Sequence, residues 1–232
     1  MLGVVTSEQP LIPTEYQQTD YVENQTIGSG NQTGSGTQGV TFGGYINLGI
    51  HIAPSTDRLY VEYQCTDYSK YDGNKGYFGC LYGDYWGDAT KGIYNFITKT
   101  EKIRIRCAGS TVNMDTAMGT TKHTLDVYHD SILYDGTQIG ANTGAYNNAS
   151  TSTELLFCAP YFAPNTSPTG DVPSVMAFFI GKIYAFKVYR SGVLIHDYYP
   201  CYRKSDNKAG VYDIIAQEFK QGLNDLLAGN DE

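Results

Sequence analysis

"KIYAFKVYRSGVLIHDYY" (residues 182–199) is two runs rich in apolar and aromatic residues, separated by Ser191-Gly192. Short turn chemistry between such runs reads as a β-hairpin. The same reading spreads outward along the chain. In "RLYVEYQC" (58–65), Leu59, Val61, Tyr63 and Cys65 share one face, and Tyr60, Glu62 and Gln64 share the other. In "KIRIRC" (102–107), Ile103, Ile105 and Cys107 face in while Lys102, Arg104 and Arg106 face out. "HTLDVYH" (123–129) repeats the alternation with Leu125 and Val127, and Asp135-Gly136 follows as a second hairpin turn. Alternation of period two is the signature of a half-buried antiparallel strand.

Further strand candidates lie at 45–50, 77–82, 92–97, 154–158 and 175–180. About ten short strands with turn residues between them predict a sandwich or barrel. The exception is the tail. Ile215, Phe219, Leu223 and Leu227 recur every four residues, which predicts a short amphipathic helix over 214–228, weakened by Gly222.

Composition supports strands. The chain has 232 residues, 26 Gly and 21 Tyr, and 41% of it is hydrophobic, enough for one sizeable core. Tyrosine favours strands and tolerates a half-wet surface, because its ring is apolar and its hydroxyl polar. The net charge of -8 argues against binding a nucleic-acid backbone, which needs a cationic footprint. Cys65, Cys80, Cys107, Cys158 and Cys201 are odd in number, form no CxxC and sit mostly in apolar runs, so buried free thiols are expected. A zinc site would need tighter clusters than these cysteines and four scattered histidines provide.

The opening "MLGVVTSEQPLIP" has no basic region and too short an apolar run for a signal peptide. No stretch approaches the roughly eighteen apolar residues of a membrane span. The sequons at Asn24, Asn31, Asn148 and Asn165 then carry little weight. Residues 1–23 read as an extended arm, with Pro10 and Pro13 excluding helix. Residues 24–44 are a Gly/Ser/Thr/Gln-rich insert that cannot order itself alone. Its "GSGTQG" (34–39) matches a dinucleotide fingerprint in form only, lacking the following helix. Residues 45–213 would form the sandwich, joined by a strand from 11–23, and 214–232 the tail.

Four stretches carry a resemblance: "LIPTEYQQTDYVE" (11–23), "GGYINLGI" (43–50), "KHTLDVYHDSILYDGTQI" (122–139) and "GKIYAFKVYRSGVLIHDYYPCYRKSDNKAGVYDII" (181–215). They resemble a virion-associated family of phages and prophages of gut bacteria. That family looks like the concanavalin A-like, or LamG-like, antiparallel jelly roll of two facing sheets. Two departures stand out: the Gly/Ser-rich 24–44, and "IIAQEFKQGLNDLLAGNDE" (214–232) where such proteins add a further strand. The resemblance implies a virion structural protein that docks by its arm and tail to other virion proteins and forms a homo-oligomer.

Residues carrying chemistry are few. Jelly-roll hydrolases present paired carboxylates as E-x-D-x-x-E, which is missing here, as is a G-x-S-x-G elbow. His123 and His129, with Asp126 and Asp130, read as polar groups on a hairpin, not a chelating pair. The cationic stripe Lys102, Arg104 and Arg106 reads as a solvated face paired with acids such as Glu62. The most ligand-like stretch is "YGDYWGDAT" (82–90). Tyr82, Tyr85 and Trp86 could stack on a sugar, and Asp84 and Asp88 could take its hydroxyls. The opposing reading plugs Trp86 into a core or subunit contact. No cofactor is expected. Jelly-roll lectins also use Asp and Asn oxygens for calcium, but Asp84 and Asp88 lack the ligand density of a known calcium loop.

"YYPCYRKSDNKAGVYD" (198–213) reads as the piece that closes the sandwich, through Tyr199, Cys201, Arg203, Asp206 and Asp213. Pro200 would end its strand, and Arg203 would pair with Asp206 or Asp213 across the Ser205-Asp206-Asn207 turn.

The expected function is a non-enzymatic bacteriophage virion structural protein: a capsid decoration, head-fibre or tail-associated part. It would be assembled in the bacterial host cytoplasm and adhere to host or mucus glycans, without nucleic-acid binding or membrane insertion. The alternatives are a specific carbohydrate-binding receptor-binding protein, and a glycoside hydrolase or lyase of the same fold.

Overall fold

The computed structural model describes residues 12–25, 43–71, 79–84, 93–107, 110–114, 117–128, 130–141, 154–158, 178–224 and 226–231. Its strands are β1 (Tyr16–Gln18), β2 (Tyr21–Asn24), β3 (Tyr45–Asn47), β4 (Asp57–Cys65), β5 (Tyr82–Gly83) and β6 (Ile93–Ile97). There follow β7 (Ile103–Cys107), β8 (Ser110–Asn113), β9 (His123–Val127), β10 (Ile132–Tyr134), β11 (Thr137–Gly140) and β12 (Leu156–Phe157). The chain closes with β13 (Gly181–Arg190), β14 (Val193–Arg203), β15 (Lys208–Asp213), β16 (Glu218–Leu223) and β17 (Leu227–Gly229).

These strands build an antiparallel jelly-roll sandwich of two sheets. The larger sheet runs β11-β10-β9-β4-β13-β14-β15-β16. The smaller runs β8-β7-β6-β5-β12-β3 and ends on the last residues of β16. The chain crosses between sheets repeatedly, so β4 lies between β9 and β13, and β12 between β3 and β5. The core fills the space between. Leu59, Val61, Tyr63, Phe186 and Val188 come from the larger sheet, and Ile46, Tyr82, Phe157, Ile103 and Ile105 from the smaller. Period-two alternation decides these faces: β4 is buried at every odd residue from 57 to 65.

The 182–199 hairpin is present as β13 and β14, with Ser191 and Gly192 at its turn, both at positive φ. Pro200 does not end the strand. β14 runs on through Pro200 to Arg203. The β13–β14 ladder stops at Tyr198, and β1 joins β14 only at Cys201. Pro200 sits in that gap, where its missing N–H breaks no ladder bond, and its carbonyl accepts from the Thr19 amide at 3.0 Å. The gap is filled by β1 along β14 and by β2 along β13.

The helix expected over 214–228 is not formed. Those residues make a turn, β16 and β17. The four-residue stripe is not a core face, since Ile215, Leu223 and Leu227 are 48%, 39% and 46% exposed. Strand pairing overrides the helical period. β16 pairs with β15 in one sheet and, at Gly222 and Leu223, with β3 in the other, so it turns the corner between them. Gly222 permits this: a Cβ there would meet Leu226 Cδ2 at 2.6 Å and the Ala209 carbonyl at 2.8 Å. The tail thus supplies a further strand after Tyr212-Asp213 in its own sequence.

The ends of the Gly-rich insert are tied. The buried Asn24 accepts from the Gly44 amide at 2.8 Å and donates to the Phe179 carbonyl at 2.6 Å. Residues 26–42, including GSGTQG and Asn31, lie outside the described residues, as do Asn148 and Asn165.

All five cysteines are free and buried. Burial pushes the Cys65, Cys158 and Cys201 thiols up to about 12. The thiolate is the reactive form. Ellman's reagent at pH 8 is therefore expected to find essentially no thiol in the native protein and all five after denaturation. Rapid reaction without denaturant would contradict this burial.

Candidate functional site

The outward residues of β4, β9, β13 and β14 form cross-strand rows on the larger sheet. One row sets Tyr60 between Asp126 and Lys187, and Lys187 opposite Asp197. Lys187 reaches Asp197 at 3.3 Å. Nearer the opposite end, Lys122 lies over the Tyr184 ring at 3.6 Å and Lys182 over Tyr21 at 3.9 Å. Asp231 joins both lysines, at 3.8 and 2.8 Å. This face alternates half-buried tyrosines with charges that already have partners.

A cleft lies at the end of this face. The Arg58 guanidinium lies between the rings of Tyr128 and Tyr189, 4.5 Å from each centroid. Asp126 holds it in a two-pronged bond, Nε to Oδ1 at 2.8 Å and Nη2 to Oδ2 at 2.7 Å. That carboxylate pushes the Arg58 pKa further up and fixes its charge. Around it opens a cleft of about 300 Å³, lined by Ser55, Thr56, Asp57, Arg58, Tyr128, Asp130, Tyr189 and Gly192.

Three turns frame the cleft, and one buried acid braces two of them. The Asp57 side chain is fully buried. It accepts from the Ala53 amide at 2.9 Å, from Thr56 Oγ1 at 3.1 Å and from Arg190 at 2.9 and 2.8 Å. The Ser191 amide donates to the Thr56 carbonyl at 2.9 Å, tying the β13–β14 turn to the turn before β4. Tyr128 donates its amide to Ser131 at 2.8 Å and closes the third turn. Loops held on a rigid scaffold are where binding sites concentrate. The cleft was not foreseen in the sequence. Its signal was the outward position of Arg58, Tyr128 and Tyr189, which means little until strand register brings them side by side.

The 82–90 residues fare differently. Tyr82 and Asp84 are turned inward and fully buried, which corrects the expectation that they face a sugar. The Tyr82 ring packs 5.7 Å from Phe186 in the core. Asp84 accepts from the Ile93 amide at 2.7 Å. Tyr85, Trp86 and Asp88 lie outside the described residues. Among the described residues no three His, Cys, Asp or Glu side chains gather to hold a metal ion.

In the closing segment, Arg203 bonds Asp206 at 3.0 and 2.6 Å and Gln221 at 2.9 Å. Asp213 pairs instead with His196 Nδ1 at 2.5 Å. Tyr199 lies opposite Tyr212, and the buried Cys201 opposite Gly210. Arg203→Ala is expected to lower the melting temperature slightly, since an exposed pair contributes little, and to leave ligand binding unchanged. Altered binding at unchanged stability would contradict the structural role.

His123 bridges Asp135, at 2.8 Å, and Thr121 Oγ1, at 3.1 Å. Asp135 also accepts from the Thr124 amide at 2.8 Å, so this relay locks the β9–β10 hairpin. Asp126 is committed to Arg58, and His129 lies outside the described residues. The cationic stripe is not paired with Glu62, which lies in the other sheet against Lys122 at 3.6 Å. Arg104 bonds Asn113 at 2.6 Å, and Arg106 bonds Tyr94 at 3.1 Å.

Fold and site together define a two-sheet jelly roll with a braced polar and aromatic cleft at the end of one sheet. No protein-family model and no curated protein matches the chain. Among solved structures it is similar to the CBM40 of Ruminococcus gnavus IT-sialidase, at 13% identity and a TM-score of 0.45, covering 75% of this chain and 91% of that one. The same module bound to alpha2,6 sialyllactose gives 14% identity and a TM-score of 0.43, covering 75% and 92%. A native heptameric SAP-like pentraxin from Limulus polyphemus gives 7% identity and a TM-score of 0.43, covering 73% and 76%. The jelly roll of this chain stands on its own strand pairings.

Proposed function

We propose that the chain is a non-enzymatic virion structural protein whose jelly roll adheres to glycans through the outer face of its larger sheet. The observation that carries the adhesive role is the Arg58 cleft. It offers aromatic rings, a fixed guanidinium, hydroxyls and a carboxylate around an open space, on turns braced by Asp57. Sugars are recognised by this combination of apolar faces and a few placed polar groups. A binding role also fits the acids here: Asp126 and Asp57 are each neutralised by an arginine, whereas a glycosidase pair needs one carboxyl able to carry a proton.

The virion setting rests on the resemblance of 11–23, 122–139 and 181–215 to phage proteins of gut bacteria. In that setting the protein is assembled in the host cytoplasm. It then sits on a capsid, head fibre or tail as a homo-oligomer among other virion proteins.

The test is an array of bacterial-surface and mucin oligosaccharides, run beside an assay for released reducing ends. The expected result is retention of sugar without release. Released sugar would make the protein an enzyme, and a silent array would remove the adhesive role.

A further inference from the structure

We infer that the Arg58 cleft takes a single neutral sugar residue, at the end of a glycan. This rests on the proposal that the chain binds glycans, and adds which site and which class of sugar.

Size limits the ligand. About 300 Å³ is the lower end of ordinary ligand pockets, which suits one sugar ring inside the cleft. Charge selects neutral ligands. The positive charge of Arg58 is already matched by Asp126, and that of Arg190 by Asp57. Asp130 also lines the cleft, on a chain of net charge -8. A carboxylated or sulfated sugar would meet two guanidiniums that already hold carboxylate partners.

The polar groups match vicinal hydroxyls. The bonds to Asp126 use Arg58 Nε and Nη2, and Nη1 carries two further N–H groups. Asp130 supplies acceptor oxygens and Ser55 a hydroxyl that can do either. Adjacent sugar hydroxyls need this alternation of donor and acceptor. Tyr128 and Tyr189 provide apolar walls for the C–H faces of the ring. Arg58 is held by three groups: the Asp126 carboxylate, through two bonds, and the rings of Tyr128 and Tyr189. Little side-chain freedom is lost on binding, which favours affinity from few contacts.

The test is titration calorimetry with methyl glycosides of glucose, galactose, mannose and N-acetylglucosamine, and with methyl glucuronide as the acidic probe. Wild type, Tyr189→Ala, Asp130→Asn and Arg203→Ala are compared. At least one neutral glycoside is expected to bind and methyl glucuronide not. Tyr189→Ala is expected to weaken binding about tenfold. Asp130→Asn, at an exposed position, is expected to weaken it about fivefold at unchanged melting temperature. Arg203→Ala should match wild type. Equal affinity in wild type and both cleft variants would overturn this site while leaving glycan binding intact. Preference for the glucuronide would overturn the sugar class. No binding to these probes, with a silent oligosaccharide array, would remove the underlying function as well.

Discussion

Phe186→Ala is expected to destabilise the protein by about 3–5 kcal/mol. Phe186 is 1% exposed on β13 and meets Phe157 of the opposite sheet edge-on, at 4.3 Å and 79°. Tyr82 of the smaller sheet lies 5.7 Å away and Tyr198 of the larger 6.0 Å. The ring is therefore where the two sheets grip each other. Truncation removes aromatic surface from both sides and leaves a cavity that rigid strands cannot collapse to fill. For a chain of this length each kcal/mol moves the melting temperature by about 2–4 °C, so a fall of about 6–20 °C is expected in thermal unfolding. Phe186→Leu keeps most of the volume and should cost less than about 2 kcal/mol. A loss below about 1 kcal/mol for the alanine variant would mean the sheets do not meet there.

The second large effect belongs to Asp213. Its side chain is fully buried, yet it accepts from His196 at 2.5 Å and from the amides of Asp197, Ile215 and Ala216 at 3.2, 3.0 and 3.2 Å. It thereby pins the 214–217 turn to β14. Burial raises its pKa. The bonds from His196 and those amides outweigh burial, so the carboxyl is held below its usual range. Asp213→Ala strips partners from three amides and a histidine and is expected to cost about 3 kcal/mol.

The pH dependence follows from the sign. A carboxyl with a lowered folded pKa contributes stability above its unfolded pKa of about 3.9. That stability is lost as pH falls through the folded value. Wild type should therefore lose stability on acidification below about pH 4. Asp213→Asn should be less stable near neutrality and lose less of its stability over that acid range. Parallel acid limbs in urea unfolding of the two proteins would show that Asp213 is not held as described.

Much of the fold was legible because strands declare themselves by alternation. Leu59, Val61, Tyr63 and Cys65 point inward as their spacing requires, as do Ile103, Ile105 and Cys107. The 182–199 hairpin needed only its turn residues. The tail was misread because Ile215, Phe219, Leu223 and Leu227 carry helical spacing without being a buried face. What decides that segment is the long-range pairing of β16 with β15 and β3, and local sequence holds no trace of it. Pro200 was misread for a related reason. Whether proline ends a strand depends on whether a neighbour asks for its N–H, and here the neighbour changes from β13 to β1 at that point.

The candidate site was less legible than the fold. Tyr82 and Asp84 looked ligand-like by residue type, but their strand turns them into the core. Arg58, Tyr128 and Tyr189 are 131 residues apart from first to last, and only the register β9–β4–β13 aligns them. Aromatic and charged residues on outward strand positions are common, so pattern alone could not single out this set.

The most direct test of the central claim is hydrogen–deuterium exchange with and without the sugar that the array selects. Added protection is expected in peptides spanning 53–58, 128–131 and 189–193, the three turns around Arg58. Protection confined to 82–90, or no change in any of the three turns, would contradict it.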